Sequence, residues 1–208
     1  MADNTSTTPN WPIGALIGFG HYWHTYEDPT DPEKVVKISA SPDPGASGFS
    51  ATETLINIMH LVFPKNIPQV CEAGVRTDGV RQLRVDKVHF HPQYARMVEL
   101  KNTASLTDAE RAELAELRRE HNKWVDTNET AQHLFKQLDS VGISFDYATM
   151  FNTVRDRNDT PVYIDELYLK VTPEEFGEKI FPLVDQSSHE EVKKLIEQYR
   201  LLVQASAL

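Results

Sequence analysis

Cysteine is nearly absent from this 208-residue chain, where Cys71 stands alone. A single cysteine excludes an intrachain disulfide and fits a reducing compartment, so Cys71 is expected as a small buried hydrophobe before the Glu72-Ala73-Gly74 turn. No apolar run is long enough to cross a bilayer, and the first residues lack the apolar core of a signal peptide. The expected location is the cytoplasm. Positive charge is also short: 21 Lys and Arg face 31 Asp and Glu, giving a net charge of −10 and a pI near 5.2. That balance argues against a general binder of nucleic acid or of anionic membranes, because both want a basic surface. It does not exclude a local basic pocket. There are no internal repeats, and the one low-complexity tract is the Thr/Ser-rich segment Met1–Asn10, expected to be a disordered tail.

What is present is ordinary globular material, 40% hydrophobic and 25% charged, enough for one domain or two small lobes with ample core. Strands are expected over Trp11–Ile38. In Lys34-Val-Val-Lys-Ile38 the alternation puts Val36 and Ile38 on one face and Val35 and Lys37 on the other. Ser39–Gly48 reads as a loop. Ser50–Phe63 reads as a helix with Leu55, Ile58, Met59 and Val62 at helical spacing. Val70–Leu100 reads as strands broken by a turn at Arg76–Gly79, with later strands at Val85–Phe90 and Tyr94–Val98.

Thr107-Asp-Ala-Glu110 is a capping box that starts a helix. Thr127–Val141 is a second, with Ala131, Leu134, Phe135 and Leu138 inward and Gly142 at its end. Thr172-Pro starts a third. The last starts at Ser188 and turns Val192, Leu195, Ile196, Tyr199, Leu202 and Val203 inward.

The most informative stretch is Asn152-Thr-Val-Arg-Asp-Arg-Asn-Asp-Thr-Pro-Val-Tyr-Ile-Asp165. It reads as strand, polar turn and strand, with Asn/Asp turn chemistry at Asp156–Asp159. A hairpin of that size brings its ends together. An Asn152 amide beside an Asp165 carboxylate is a hard-oxygen pair suited to Mg²⁺, which takes few protein ligands and fills the rest with water and phosphate oxygens. The competing reading is a plain surface hairpin.

This arrangement resembles the metal-binding segment of the protein-kinase-like phosphotransferases, the superfamily that holds protein kinases and aminoglycoside phosphotransferases. Other pieces follow in family order. Ile17-Gly18-Phe19-Gly20 resembles the glycine-rich turn that covers ATP phosphates, with Trp23 near the place of the third glycine. Lys37 matches the strand lysine that contacts the α/β-phosphates, and Glu53 the helix glutamate that positions it. Phe63-Pro64-Lys65-Asn66-Ile67 resembles the linker into the fourth strand. Met97–Lys101 is the candidate for the hinge that holds adenine by its backbone. In Asp165-Glu166-Leu167 only the metal-binding aspartate matches the Asp-Phe-Gly segment.

The resemblance implies a two-lobed α+β fold: a small antiparallel N-terminal sheet with one helix, and a reduced, mostly helical C-terminal lobe. Residues 11–101 form the nucleotide-phosphate-binding N-lobe and 102–208 the C-lobe with the metal hairpin. ATP and Mg²⁺ are the implied cofactors, a small molecule or protein hydroxyl the implied acceptor, and neither nucleic acid nor membrane an implied partner. Counting back from Asn152 to the family's acceptor-orienting aspartate lands on Tyr147, with Asp146 one residue off register. Asp146 is the candidate to orient the acceptor; otherwise Tyr147 takes its place. The chain is therefore a minimal or degenerate member, read as a phosphotransferase, with a pseudokinase-type interaction module as the alternative and an unrelated α+β domain as the third reading.

Overall fold

A β-branched apolar run in the central strand and 3.6-residue apolar stripes further on dictate two kinds of packing. A computed structural model describes residues 11–20, 22–42, 49–145 and 152–206. The fold is α+β, with a five-stranded antiparallel sheet in its N-terminal part and a mostly helical C-terminal part. It divides into two compact units, residues 1–50 with 70–87 and residues 51–69 with 88–208.

The first unit holds β1 (Leu16–Phe19), β2 (Trp23–Glu27), β3 (Lys34–Pro42), β4 (Val70–Val75) and β5 (Val80–Asp86), in the order β1-β2-β3-β5-β4. Both faces of β3 are buried. Val36 and Ile38 fill one face, and Val35 shares the other with Leu83 and Val85. Each such side chain contributes roughly 1.5–3 kcal/mol when fully buried. Gly79, with φ of +80°, closes the β4–β5 turn where its Arg-Thr-Asp-Gly chemistry placed it.

Charged groups bind the strands laterally. Asp28 is 4% exposed and accepts from the Thr30 amide at 2.8 Å, the Thr30 hydroxyl at 2.6 Å and Arg84 Nε at 2.6 Å. Cys71 differs from its expected role as an apolar filler. It is half-buried, and its thiol donates to Asp86 Oδ1 at 3.6 Å. Burial pushes that thiol's pKa up.

The second unit holds α1 (Ala51–Val62), α2 (Pro92–Asn102), α3 (Asp108–Thr127), α4 (Glu129–Ser140), β6 (Ile143–Ser144), β7 (Thr153–Arg155), β8 (Pro161–Tyr163), β9 (Tyr168–Leu169), α5 (Pro173–Ile180) and α6 (His189–Ser206). Helix starts lie where their caps were legible. Thr107 and Glu110 form the reciprocal capping box of α3, and Thr172 accepts from the Glu175 amide at 3.2 Å. The main core gathers Leu55, Ile58 and Met59 of α1, Leu134 and Leu138 of α4, and Ile180 of α5. Gly142 ends α4 at φ +84°, and a Cβ there would lie 2.6 Å from Val171 Cγ2, so backbone and packing both require glycine.

Four further expectations change. Tyr94–Val98 is not a strand but the middle of α2, because Pro92 sits in the first turn, the His91 side chain caps it, and Tyr94, Met97 and Leu100 bury at helical spacing. Met97–Lys101 therefore cannot serve as an extended adenine-binding hinge; its amides belong to a helix. The strand expected to reach Phe90 ends at Asp86, and Phe90 instead bridges to Asp156. In α6, Val192 is fully buried as expected, but Val203 is 39% exposed.

Candidate functional site

The hairpin expected between Asn152 and Asp165 forms as β7 and β8, paired through Thr153↔Tyr163, Val154↔Val162 and Arg155↔Pro161. Its turn is built by Asp156, whose Oδ1 accepts from the Asn158 amide at 2.9 Å and the Thr160 amide at 2.6 Å. Asp159 takes the left-handed conformation at φ 67°, and Arg155 pairs with its carboxylate.

In an antiparallel pair, alternate residues turn their backbone groups toward the partner strand or away from it. The Ile164 amide donates to the Asn152 carbonyl at 2.8 Å. The ladder thus extends one step past the strands, and Asp165 follows at a bend, one residue beyond a fixed contact with Asn152. Both residues are half-buried.

The next pairs, Thr153↔Tyr163 and Arg155↔Pro161, turn their groups outward. A two-stranded ribbon with open edges is marginal in water. Here both edges are occupied. On the β8 edge, Asn66 Nδ2 donates to the Pro161 carbonyl at 2.7 Å, and the Asn66 carbonyl accepts from the Tyr163 amide at 2.8 Å. On the β7 edge, His121 Nε2 donates to the Thr153 carbonyl at 2.9 Å, and the His91 amide donates to the Arg155 carbonyl at 2.9 Å. Elements distant in sequence hold the ribbon at four points.

Sequence reasoning gave neither Asn66 nor His121 a role. Asn66 was visible only as a polar residue inside the Pro-Lys-Asn-Ile-Pro linker. His121 had one signal: it occupies a core position of the α3 stripe, in register with buried Leu114 and Val125.

The remaining sequence candidates lie as follows. Lys37 sits mid-strand in β3, half-buried between Thr25 and Leu83. Gly18 pairs with Thr25 in β1. Gly20 lies in the β1–β2 turn, where its amide donates to the Trp23 carbonyl at 2.8 Å, and Trp23 opens β2. Glu53 is in the first turn of α1 and only 4% exposed, a burial that an ionised carboxylate tolerates only with compensating partners. Asp146 and Tyr147 lie outside the described residues.

Asn152 and Asp165 fit a magnesium ion in donor type. Both offer hard oxygens, they are two in number, and they stand at adjacent ends of a braced hairpin. Among the described residues, no group of three or more His, Cys, Asp or Glu is placed to hold a metal. Such a cage is what zinc or calcium would need, whereas magnesium bound with phosphates does not.

No protein-family model matches the chain, and no curated protein matches it. Among solved structures, the GDP complex of wild-type aminoglycoside 2'-phosphotransferase-IIIa is similar over 95% of this chain and 86% of its own, at 12% identity and a TM-score of 0.34. The streptomycin–ATP–APH(2")-IIa ternary complex is similar over 89% of this chain and 82% of its own, at 12% identity and a TM-score of 0.27. Likeness at this level does not assign an activity, so the chemistry has to be argued from the residues of the chain itself.

Proposed function

We propose that this chain is a kinase-like ATP-binding protein that transfers a phosphoryl group from Mg-ATP to a hydroxyl acceptor. The observation that carries the reading is the Ile164–Asn152 backbone bond at 2.8 Å, which fixes the approach of the Asn152 and Asp165 ends of the hairpin. Asn152 and Asp165 would hold Mg²⁺. When bound, the ion would neutralise charge on the phosphate oxygens. Lys37 would contact the α/β-phosphates and Glu53 would position Lys37. Gly18 and Gly20 would cover the phosphates, using the close backbone approach that glycine permits. Asp146 would orient the acceptor hydroxyl. Phosphoryl transfer depends mainly on positioning and charge stabilisation, which is the kind of work a braced hairpin can support.

The test has two arms. Mg-ATP at millimolar concentration should raise the melting temperature of the protein, and EDTA should shrink the rise, because a ligand selective for the native state stabilises it by mass action. Incubation with labelled ATP and a panel of hydroxyl acceptors should then release ADP and labelled product. Absence of any thermal shift would overturn the reading.

Two observations favour a second reading, a pseudokinase-type interaction module without phosphotransfer, which binds nucleotide or nothing. Trp23 opens β2 near the place of the third glycine, and Asp146 stands one residue off the family register. Binding of ATP without turnover against water or any acceptor would select it.

A further inference from the structure

His121 is a polar residue in a core position. It is 7% exposed, and its ring lies 4.8 Å from that of Tyr94 and 5.5 Å from that of Trp124, stacked on the latter at 25°. An apolar side chain would fill that volume at lower desolvation cost. The imidazole brings what a hydrocarbon lacks, an Nε2 donor aimed at the Thr153 carbonyl at 2.9 Å. Because a carbonyl only accepts, the bond requires the proton on Nε2. Thr153 is the residue that follows Asn152, and it is itself 1% exposed.

We propose that His121 is a positioning residue for the metal pair: it holds the Thr153 carbonyl, thereby the Asn152 backbone, and so sets the affinity of the Asn152/Asp165 site for Mg²⁺. The proposal rests on the phosphotransferase reading for its metal half. Its geometric half stands on the hairpin alone. Partners that hold a metal-binding element in place typically change metal affinity by about 10- to 100-fold when lost. The Arg155 guanidinium lies over the Trp124 ring of the same stack, 5.3 Å from its centre. His121 also borders a cavity shared with Gln93, Leu117 and Glu120, which gives a shorter replacement room to adjust.

The experiment compares full-length wild type with His121→Phe, which keeps the ring and removes the donor, and His121→Gln, which restores an N–H. His121→Met replaces the Phe variant if that one does not fold. Two quantities are read: Mg²⁺ affinity in the presence of ATP, and amide hydrogen exchange at Ile164 against Tyr163. The Ile164 amide bonds to Asn152 and the Tyr163 amide to Asn66, so the two report separate braces of one hairpin.

In His121→Phe, Ile164 exchange should rise about five- to tenfold, the equivalent of one lost hydrogen bond, while Tyr163 stays protected. Mg²⁺ affinity should fall at least about tenfold, and His121→Gln should recover most of both. Unchanged Ile164 exchange overturns the proposal. So does equal acceleration at Ile164, Tyr163 and the α4 amides, which would mark His121 as a structural residue only. Looser Ile164 with unchanged Mg²⁺ affinity overturns the metal half. Wild type that binds no Mg²⁺ with ATP overturns that half together with the phosphotransferase reading, and the exchange result still judges the geometric half.

Discussion

The Ile164 amide reaches the Asn152 carbonyl across 2.8 Å, one step beyond the last formal pair of the hairpin. That single bond ties the two chain ends from which an amide and a carboxylate can act together, and its neighbours Asn66 and His121 keep it from fraying.

Asp165→Asn removes the charge that would face the metal. The protein should remain folded, since Asp165 is half-buried at a bend. The melting-temperature rise caused by Mg-ATP should fall to the level seen with EDTA. Lys37→Ala should also reduce the rise, but its residual response should still shrink with EDTA, because the metal pair is intact. Identical titration curves for wild type and Asp165→Asn would remove Asp165 from the site.

Asp146→Asn should lower phosphotransfer or ATPase turnover by roughly 10²-fold or more, the usual scale for a positioned acid/base group, and leave Mg-ATP binding nearly intact. Tyr147→Phe should be mild. Steady-state rates beside binding isotherms decide it, and equal rates in wild type and Asp146→Asn would pass the role to Tyr147 or to water.

Asn66→Ala deletes the amide that donates to the buried Pro161 carbonyl and leaves that acceptor without its bond. Urea unfolding should show a loss of about 1–3 kcal/mol, the range for an orphaned buried polar group. Asn66→Asp should be no better, because a carboxylate cannot donate to a carbonyl. A loss within a few tenths of a kcal/mol would mean that the Asn66 side chain does not brace β8.

Asp28 contributes to the acid sensitivity of the sheet unit. Burial alone pushes its carboxyl up, but the Thr30 hydroxyl and amide and the Arg84 guanidinium together outweigh burial and hold it below the usual carboxylate range. A folded pKa below the unfolded one contributes stability that is complete above about pH 4, the unfolded value, and is lost as pH falls through the folded value. Wild type should therefore lose stability as pH drops below about 4. Asp28→Asn should be less stable than wild type at neutral pH and show a shallower acid slope. Parallel stability curves for the two proteins between neutral and acid pH would contradict this.

Much of the fold was legible because its causes are local. Thr107, Thr172 and Gly142 set helix ends through side-chain or backbone conformations that act within a few residues. The Arg76–Gly79 and Asp156–Asp159 turns are chosen by residues that tolerate or enforce tight geometry, and both hairpins formed where those residues stand. The α2 helix, where a strand is expected, departs for a related reason. Tyr94-Ala-Arg-Met-Val98 is apolar at four of its five positions, and so short and apolar a window cannot separate a period of two from one of 3.6.

The amino-acid order by itself therefore determined which segments are strands and turns near Lys37, Asn152 and Asp165, and which residue types could meet a phosphate or a magnesium ion. It did not determine what covers the outer edges of β7 and β8. Those backbone groups point away from the hairpin, and their partners Asn66 and His121 lie 95 and 32 residues from the groups they hold. No periodicity or capping rule spans such distances. Only the packing of the α1–β4 linker and of α3 against the hairpin decided them, because a buried carbonyl or amide must find a partner wherever in the chain one is brought within reach.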